Sequence, residues 1–122
     1  MTWKKHGPIR RGRGHLGGAS VAVRATTVDS LVSGEMHGRV PRAILVDTEG
    51  NDAPVLFGAA TTLATGLCEY VEFEYSDRGA WATTRLQQVV DYMDRFGFDC
   101  FWAGRKKLWR VTGCFDRSYE GE

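Results

Sequence analysis

The sequence predicts an α/β fold in which parallel strands alternate with helices and an antiparallel hairpin ends the chain. Three observations lead to this prediction. An apolar run at residues 43–47 stops at acids and a glycine and is followed by a helical pattern. A second strand-like run at 67–75 precedes the longest helical pattern, and two short strand-like runs close the chain. The segments that link the strand-like runs at 20–24, 43–47 and 67–75 are each long enough for a crossover helix, so these strands should be parallel.

Length and composition limit the chain to one domain. Its 122 residues are 43% hydrophobic, which is enough to build a core. The net charge of +1 gives no global field that would direct the protein to nucleic acid or a membrane. Residues 1–18 are basic and glycine-rich and are interpreted as a flexible tail, residues 19–116 as the domain, and residues 117–122 as a C-terminal tail.

The amino-terminal elements are short. Residues 20–24 alternate weakly and suit a strand. Thr26 and Thr27 can cap a helix through residues 28–32 that ends near Gly34. We therefore expect a brief strand and a brief helix before the first central strand.

The strand at 43–47 carries apolar side chains in succession, which is typical of a strand covered on both faces in the middle of a sheet. Asn51 or Asp52 can cap the next helix. That helix should place one apolar face on the core through residues 55–63 and close at Gly66. The pattern predicts a single continuous helix.

The second half of the chain again alternates strand and helix. A buried strand is predicted at 67–75, and a helix at 83–96 whose apolar residues recur at helical spacing. Residues 98–103 and 107–112 are strand-like and are joined by Gly104-Arg105-Lys106, which predicts a hairpin. We expect this hairpin to add an antiparallel edge to the parallel sheet.

The cysteines indicate neither a disulfide framework nor a metal site. Cys68, Cys100 and Cys114 cannot all pair, and none lies in a C-x-x-C motif or near a histidine cluster. We interpret each as a small buried hydrophobe in a reducing compartment. No apolar segment approaches the roughly 20 residues that span a bilayer, and no signal core follows the basic start, so we expect a cytoplasmic protein without a membrane partner.

Three blocks of the sequence resemble a known family. Residues 23–31 (V-R-A-T-T-V-D-S-L), 44–59 (I-L-V-D-T-E-G-N-D-A-P-V-L-F-G-A) and 71–75 (V-E-F-E-Y) are similar to successive blocks of FkbM-type methyltransferases. The central family block reads K-I-D-x-E-G-x-E-x-x-V-L-x-G-A, and the similarity covers roughly residues 18–115. The resemblance implies the carboxyl-terminal half of a class I methyltransferase sheet of Rossmann-like type. It also implies S-adenosylmethionine as cofactor and methyl transfer to an oxygen of a sugar or natural product.

The sequence departs from the family at the cofactor site. In the family, the first half of the domain supplies a strand, a glycine-rich turn and an acidic residue that hold S-adenosylmethionine. Gly12, Gly14, Gly17 and Gly18 lack a preceding strand and a following helix, so we leave the cofactor-binding residues unassigned. We therefore expect a truncated domain, inactive alone or completed by a chain that supplies the missing half of the sheet.

Three acids are the candidates for catalysis. By the resemblance, Asp47 ends the fourth strand of the class I sheet, beside the place where cofactor and acceptor meet, and Glu49 and Glu74 line the same cleft. A carboxylate there could orient an acceptor hydroxyl, bind a metal ion, or take the proton of the hydroxyl. The structural alternative is that Asp47 and Glu49 accept hydrogen bonds from backbone N–H groups of the loop and the helix start.

Four further residues are candidates for binding the acceptor. Tyr75, Asp77, Arg78 and Trp81 lie in one loop at the same predicted edge and could shape a pocket for a small molecule or glycan. Surface packing is the alternative for this loop. For the whole chain, a non-catalytic α/β module that binds a partner along an open strand edge is the second hypothesis. Contact of residues 10–14 with nucleic-acid phosphates ranks third.

Overall fold

The computed structural model describes residues 23–120 of the 122-residue chain. The basic segment at 1–18 lies outside the described residues, as do residues 20–22 of the predicted strand at 20–24. The last two residues of that predicted strand, Val23 and Arg24, form neither helix nor strand.

The described residues form a mixed α/β structure in the predicted order. Its helices are α1 (Val28–Ser33), α2 (Asp52–Phe57), α3 (Ala60–Ala64) and α4 (Leu86–Asp94). Its strands are β1 (Ala43–Val46), β2 (Tyr70–Phe73), β3 (Phe101–Ala103) and β4 (Leu108–Arg110). Single 3₁₀ turns lie at Gly79–Ala82 and Arg117–Glu120. None of the helices within residues 23–120 has the length and apolar character that crossing a bilayer requires.

The first helix forms as the sequence predicts. Thr27 is its N-cap, and the Thr27 side chain accepts a hydrogen bond of 3.1 Å from the Ser30 backbone N–H. Gly34 is its C-cap. Val28 and Val32 are buried, so this short helix contributes one turn of apolar surface to the core.

The first two strands are parallel neighbours, as predicted. Their register places Ala43 opposite Tyr70 and Val46 opposite Phe73. β2 covers only the middle of the predicted run at 67–75, because residues 67–69 approach the sheet as irregular chain. The carboxyl ends of β1 and β2 therefore meet at one edge, where the loops that follow them begin.

The prediction that β1 is covered on both faces was wrong. Ile44 and Val46 are each 3% exposed, whereas Leu45 between them is 53% exposed. Tyr70 of β2 shares the exposed face and is also 53% exposed. A run of apolar residues shows that a strand can tolerate burial on both sides, but it does not show that a second layer covers it.

The continuous helix predicted between the cap at Asn51 or Asp52 and Gly66 is divided into α2 and α3 because α1 interrupts it. The Gly58 carbonyl accepts a hydrogen bond of 3.0 Å from the Asp29 N–H. The Asp29 carboxylate then accepts hydrogen bonds from the backbone of Thr61 at 2.9 Å and of Thr62 at 2.8 Å. Asp29 thus caps the start of α3, and glycine, a poor helix former, lies at the break.

The longest helix is shorter than predicted but buries the predicted face. α4 begins at Leu86 because Arg85 is still extended, at φ −76° and ψ 143°. Leu86, Val89, Val90 and Met93 are buried, which confirms the apolar stripe. The Gln88 side chain accepts a hydrogen bond of 2.9 Å from the Arg85 N–H and so satisfies a donor before the first turn.

The terminal hairpin forms a separate two-stranded sheet and does not extend the β1–β2 sheet, so the prediction of a shared edge was wrong. Gly104 N–H donates to the Lys107 carbonyl at 3.0 Å and closes the turn. Trp102 of the hairpin lies 6.3 Å from the ring of Tyr75, which follows β2, and stacks on Tyr119 at 6.1 Å.

The cysteines differ in burial. Cys68 is 4% exposed, and burial raises the pKa of its thiol. Cys100 is partly buried and its pKa is likewise raised by burial. Cys114 is exposed, so its interpretation as a buried hydrophobe was wrong. It follows the turn at Gly113, where φ is +71° and the chain leaves the hairpin.

Candidate functional site

The loop after β1 carries two of the predicted catalytic acids on an unusual backbone. Asp47 and Glu49 are exposed, and Thr48 between them is partly buried. Glu49 has φ +54° and Gly50 has φ +99°. A non-glycine residue in this left-handed region costs energy that the surrounding structure must compensate, so the loop conformation is held from elsewhere.

The buried carboxylate of Asp52 holds this loop. Asp52 is 0% exposed at the start of α2. Its Oδ1 accepts hydrogen bonds from the Thr48 N–H at 3.1 Å and from the Thr48 hydroxyl, and its Oδ2 accepts one from the Glu74 N–H at 2.7 Å. One side chain therefore joins the chain after β1 to the chain after β2.

Two glycines bring the loops after β1 and β2 into backbone contact. The Ala80 N–H donates to the Gly50 carbonyl at 2.8 Å. A Cβ atom on Gly50 would lie 2.7 Å from the Arg78 carbonyl oxygen, and one on Gly79 would lie 2.5 Å from the Gly50 carbonyl oxygen. Gly79 also has a positive φ of +61°. Only glycine fits at these two positions without displacing the other loop.

Trp81 packs beneath the same edge. It is 6% exposed, and its indole N–H donates to the Glu74 carbonyl at 3.0 Å. Its ring stacks on Phe73 at 6.1 Å and meets Tyr75 edge-on at 4.9 Å. Trp81 therefore supports the loop after β2 from the core side.

Tyr75 connects the site to the carboxyl terminus of the described chain. Its hydroxyl donates to the Glu120 carbonyl at 3.3 Å. Burial raises the pKa of Tyr75, and the nearby Glu120 charge raises it further. The Glu120 carboxylate lies 3.4 Å from the Arg85 guanidinium and accepts from the Gln87 N–H at 3.3 Å. Residues 117–120 of the predicted C-terminal tail are thus attached to the domain.

Asp77 and Arg78 lie at the surface between Tyr75 and the 3₁₀ turn. Their side chains are 96% and 75% exposed, and Arg78 Nε lies 3.8 Å from Asp77 Oδ1. A pair this exposed contributes little to stability. Both side chains are therefore accessible to a ligand approaching the loop after β2.

The structure places the three predicted catalytic acids at one edge. Asp47 directly follows β1 and Glu74 directly follows β2, and all three carboxylates are exposed. No hydrogen bond within residues 23–120 is directed to the carboxylates of Asp47, Glu49 or Glu74. The backbone-binding role considered for Asp47 and Glu49 belongs to Asp52.

From the sequence, Asp52 is predicted only to cap a helix, and Asp29 has no predicted role. An acid two residues after a glycine turn is the signal that could have identified Asp52. Asp29 offers no such signal, because its partners Thr61 and Thr62 lie 32 and 33 residues away. Burial raises the pKa of Asp29, but the hydrogen bonds from Thr61 and Thr62 outweigh it, and the net pKa is lower than the ordinary value of 3.8.

The chemistry available at this edge is that of exposed carboxylates with an aromatic support. Residues 23–120 contain no group of three or more His, Cys, Asp or Glu side chains arranged to hold a metal ion. Exposed carboxylates can accept hydrogen bonds from a hydroxylated ligand.

Comparison with protein-family models, with curated proteins and with solved structures finds no match to this chain.

Proposed function

We propose that this chain carries the acceptor-side part of an FkbM-type, class I methyltransferase that acts on a hydroxyl group of a sugar or natural product. The observation that carries the proposal is the Asp52 carboxylate, which joins the ends of two parallel strands. Functional groups in open α/β folds collect at the carboxyl ends of parallel strands, and the acids stand at that edge. The sequence resemblance supplies the reaction class.

Asp47 and Glu74 are the proposed hydroxyl-binding pair. Val46 and Phe73 are opposite one another in the register, so the residues that follow them leave adjacent strands at one level. Neighbouring strands lie about 4.8 Å apart, which allows one ligand to meet both loops. Either carboxylate could accept the hydrogen bond of an acceptor hydroxyl and take its proton as the oxygen becomes a nucleophile. Glu49, on its left-handed backbone, is proposed to contact the same ligand.

We infer that residues 23–120 do not hold S-adenosylmethionine on their own. The glycines at this edge that allow close backbone approach are Gly50 and Gly79, and each Cβ position is already filled by the opposite loop. A cofactor cradle needs that space for the ligand. The proposal therefore gives residues 23–120 no role in holding the donor, and the resemblance assigns that role to chain outside them.

Calorimetry with the full chain tests the proposal. Binding of S-adenosylmethionine at micromolar concentration supports an enzyme. The absence of binding at millimolar ligand would show that the chain does not act as a methyltransferase without a second chain. If the chain binds S-adenosylmethionine, transfer of the labelled methyl group to a panel of sugars is then measured. Asp47→Asn with Glu74→Gln should reduce transfer by about 100-fold or more without changing donor affinity. Asp91→Asn, an exposed acid on α4, is the matched control and should leave transfer unchanged.

A non-catalytic module that pairs with another chain is the second candidate. Two large side chains beside and on β2 favour it, since Leu67 is 61% exposed and Tyr70 is 53% exposed. The partner proposed is a chain that supplies further strands to the β1–β2 sheet. Light scattering of the full chain, alone and with a candidate amino-terminal half, distinguishes the two. A stable complex that binds donor supports the enzyme, and a complex that does not bind donor supports the module.

A further inference from the structure

We propose that the β3–β4 hairpin, residues 101–110, is a docking surface for an anionic lipid bilayer. This inference is independent of the proposed methyl transfer, because it uses residues outside the acidic edge. It also replaces the expectation from composition that the chain has no membrane partner. The hairpin would rest on the surface of the bilayer and would not cross it.

Every residue of the hairpin is exposed. Among them are four large apolar side chains: Leu108 is 63%, Phe101 49%, Trp109 40% and Trp102 38% exposed. Exposed apolar residues scattered singly need no explanation, but a cluster on one small element indicates a binding surface.

The register separates the two faces of the hairpin. Phe101 pairs with Arg110 and Ala103 with Leu108, so these four side chains share one face. Trp102 and Trp109 pair with each other on the opposite face. The first face is apolar except for Arg110, which the Asp99 carboxylate neutralises at 2.6 Å at the base of the hairpin.

The tip of the hairpin is strongly basic. Arg105, Lys106 and Lys107 are consecutive, and no acid occurs between Asp99 and Asp116 in the sequence. Within residues 23–120 none of the three tip cations forms an ion pair. Cations beside exposed Leu108 and Phe101 match the surface of an anionic bilayer, where headgroups attract the charges and the acyl boundary accepts the apolar side chains.

The environments of the tryptophans favour lipid over single-stranded nucleic acid. Trp102 is stacked on Tyr119 with ring planes 16° apart. Trp109 has Lys107 Nζ 4.9 Å above its ring, and its outer ring atoms lie against Gly104. Base stacking requires a free ring face. The most exposed apolar side chain, Leu108, offers no such face but suits acyl chains.

Vesicle co-sedimentation of the full chain tests this inference. The vesicles are phosphatidylcholine alone or phosphatidylcholine with about 30% phosphatidylserine. We expect binding to the anionic vesicles that weakens as the salt concentration rises. Arg105→Gln with Lys106→Gln should weaken binding about 30-fold, and Leu108→Ser about tenfold. Arg24→Gln with Arg39→Gln has the same net charge, at exposed positions outside the hairpin and the 3₁₀ turn that packs on it, and should bind as the unaltered chain does.

Each of the following results would overturn the inference. The full chain does not bind anionic vesicles at millimolar lipid, or the two charge variants lose affinity equally. Deletion of residues 1–14 abolishes binding while the hairpin variants retain it, which would assign binding to the basic tail. A single-stranded oligonucleotide binds through Arg105 and Lys106 while vesicles do not, which would make the partner a nucleic acid. Circular dichroism of every variant confirms that the fold is retained, as expected for exposed side chains.

Discussion

Replacing Asp52 by alanine should destabilise the protein more than any surface substitution, because this one carboxylate satisfies donors from two loops. The change leaves the N–H groups of Thr48 and Glu74 without their acceptor, whereas the Thr48 hydroxyl can rotate to another partner. Both lost backbone hydrogen bonds are partly buried.

The magnitude follows from these lost contacts. An orphaned buried donor costs about 1–3 kcal/mol, and partial burial places each of these two near the lower end, at about 1.5 kcal/mol. The expected loss is therefore about 3 kcal/mol in the free energy of unfolding. Thr48→Val removes only the hydroxyl and should cost about 1 kcal/mol.

Urea unfolding followed by tryptophan fluorescence and by far-ultraviolet circular dichroism measures the loss. Asp91→Ala on the exposed face of α4 is the control and should lie within about 0.5 kcal/mol of the unaltered chain. If Asp52→Ala were as stable as this control, the two loops would be held by something other than this carboxylate, and the proposed arrangement of the acids would lose its support.

Three further predictions test other parts of the structure by the same unfolding measurement. Gly50→Ala should lower the free energy of unfolding by at least about 3 kcal/mol, because its Cβ would lie 2.7 Å from the Arg78 carbonyl oxygen. Gly97→Ala is the control, with φ +81° and open space around it, and should lower it by only about 1 kcal/mol. Equal losses of stability would contradict the close contact between the loops. Asp29→Asn should lower the free energy of unfolding by about 1 kcal/mol at pH 7. Because the pKa of Asp29 is lowered in the folded state, its contribution to stability is complete above the ordinary pKa of 3.8 and disappears as the pH falls through the folded pKa. A stability difference between variant and unaltered chain that persists at the acid end would contradict this. Glu120→Gln should cost less than about 1 kcal/mol, since the partner Arg85 is 59% exposed, and the loss should shrink in high salt.

Local patterns predicted the elements whose causes are local. The α1 cap depends on Thr27 and Ser30, three residues apart, and the α4 stripe depends on helical spacing alone. The hairpin follows from a short turn between two strand-like runs. In each case the interacting residues are close in the sequence, so a window of ten residues contains the necessary information.

The errors came from contacts between distant parts of the chain. The break between α2 and α3 depends on Asp29, about thirty residues before the helix that it interrupts. The exposure of Leu45 depends on which layers cover the sheet, which the strand's own residues do not encode. At the candidate site, the sequence indicated that acids follow β1 and β2, but it did not indicate that Asp52, and not Asp47 or Glu49, binds the backbone of both loops.

The contact between Gly50 and Gly79 has a consequence for engineering ligand specificity. Since Arg78 occupies the space that a side chain at Gly50 would need, and Gly50 occupies the space that a side chain at Gly79 would need, the two loops form one structural unit. A graft that transplants either loop singly from a different protein should give insoluble product, whereas a paired transplant preserves the junction. Libraries designed to alter ligand preference should therefore hold both glycines constant and randomise the exposed positions around them.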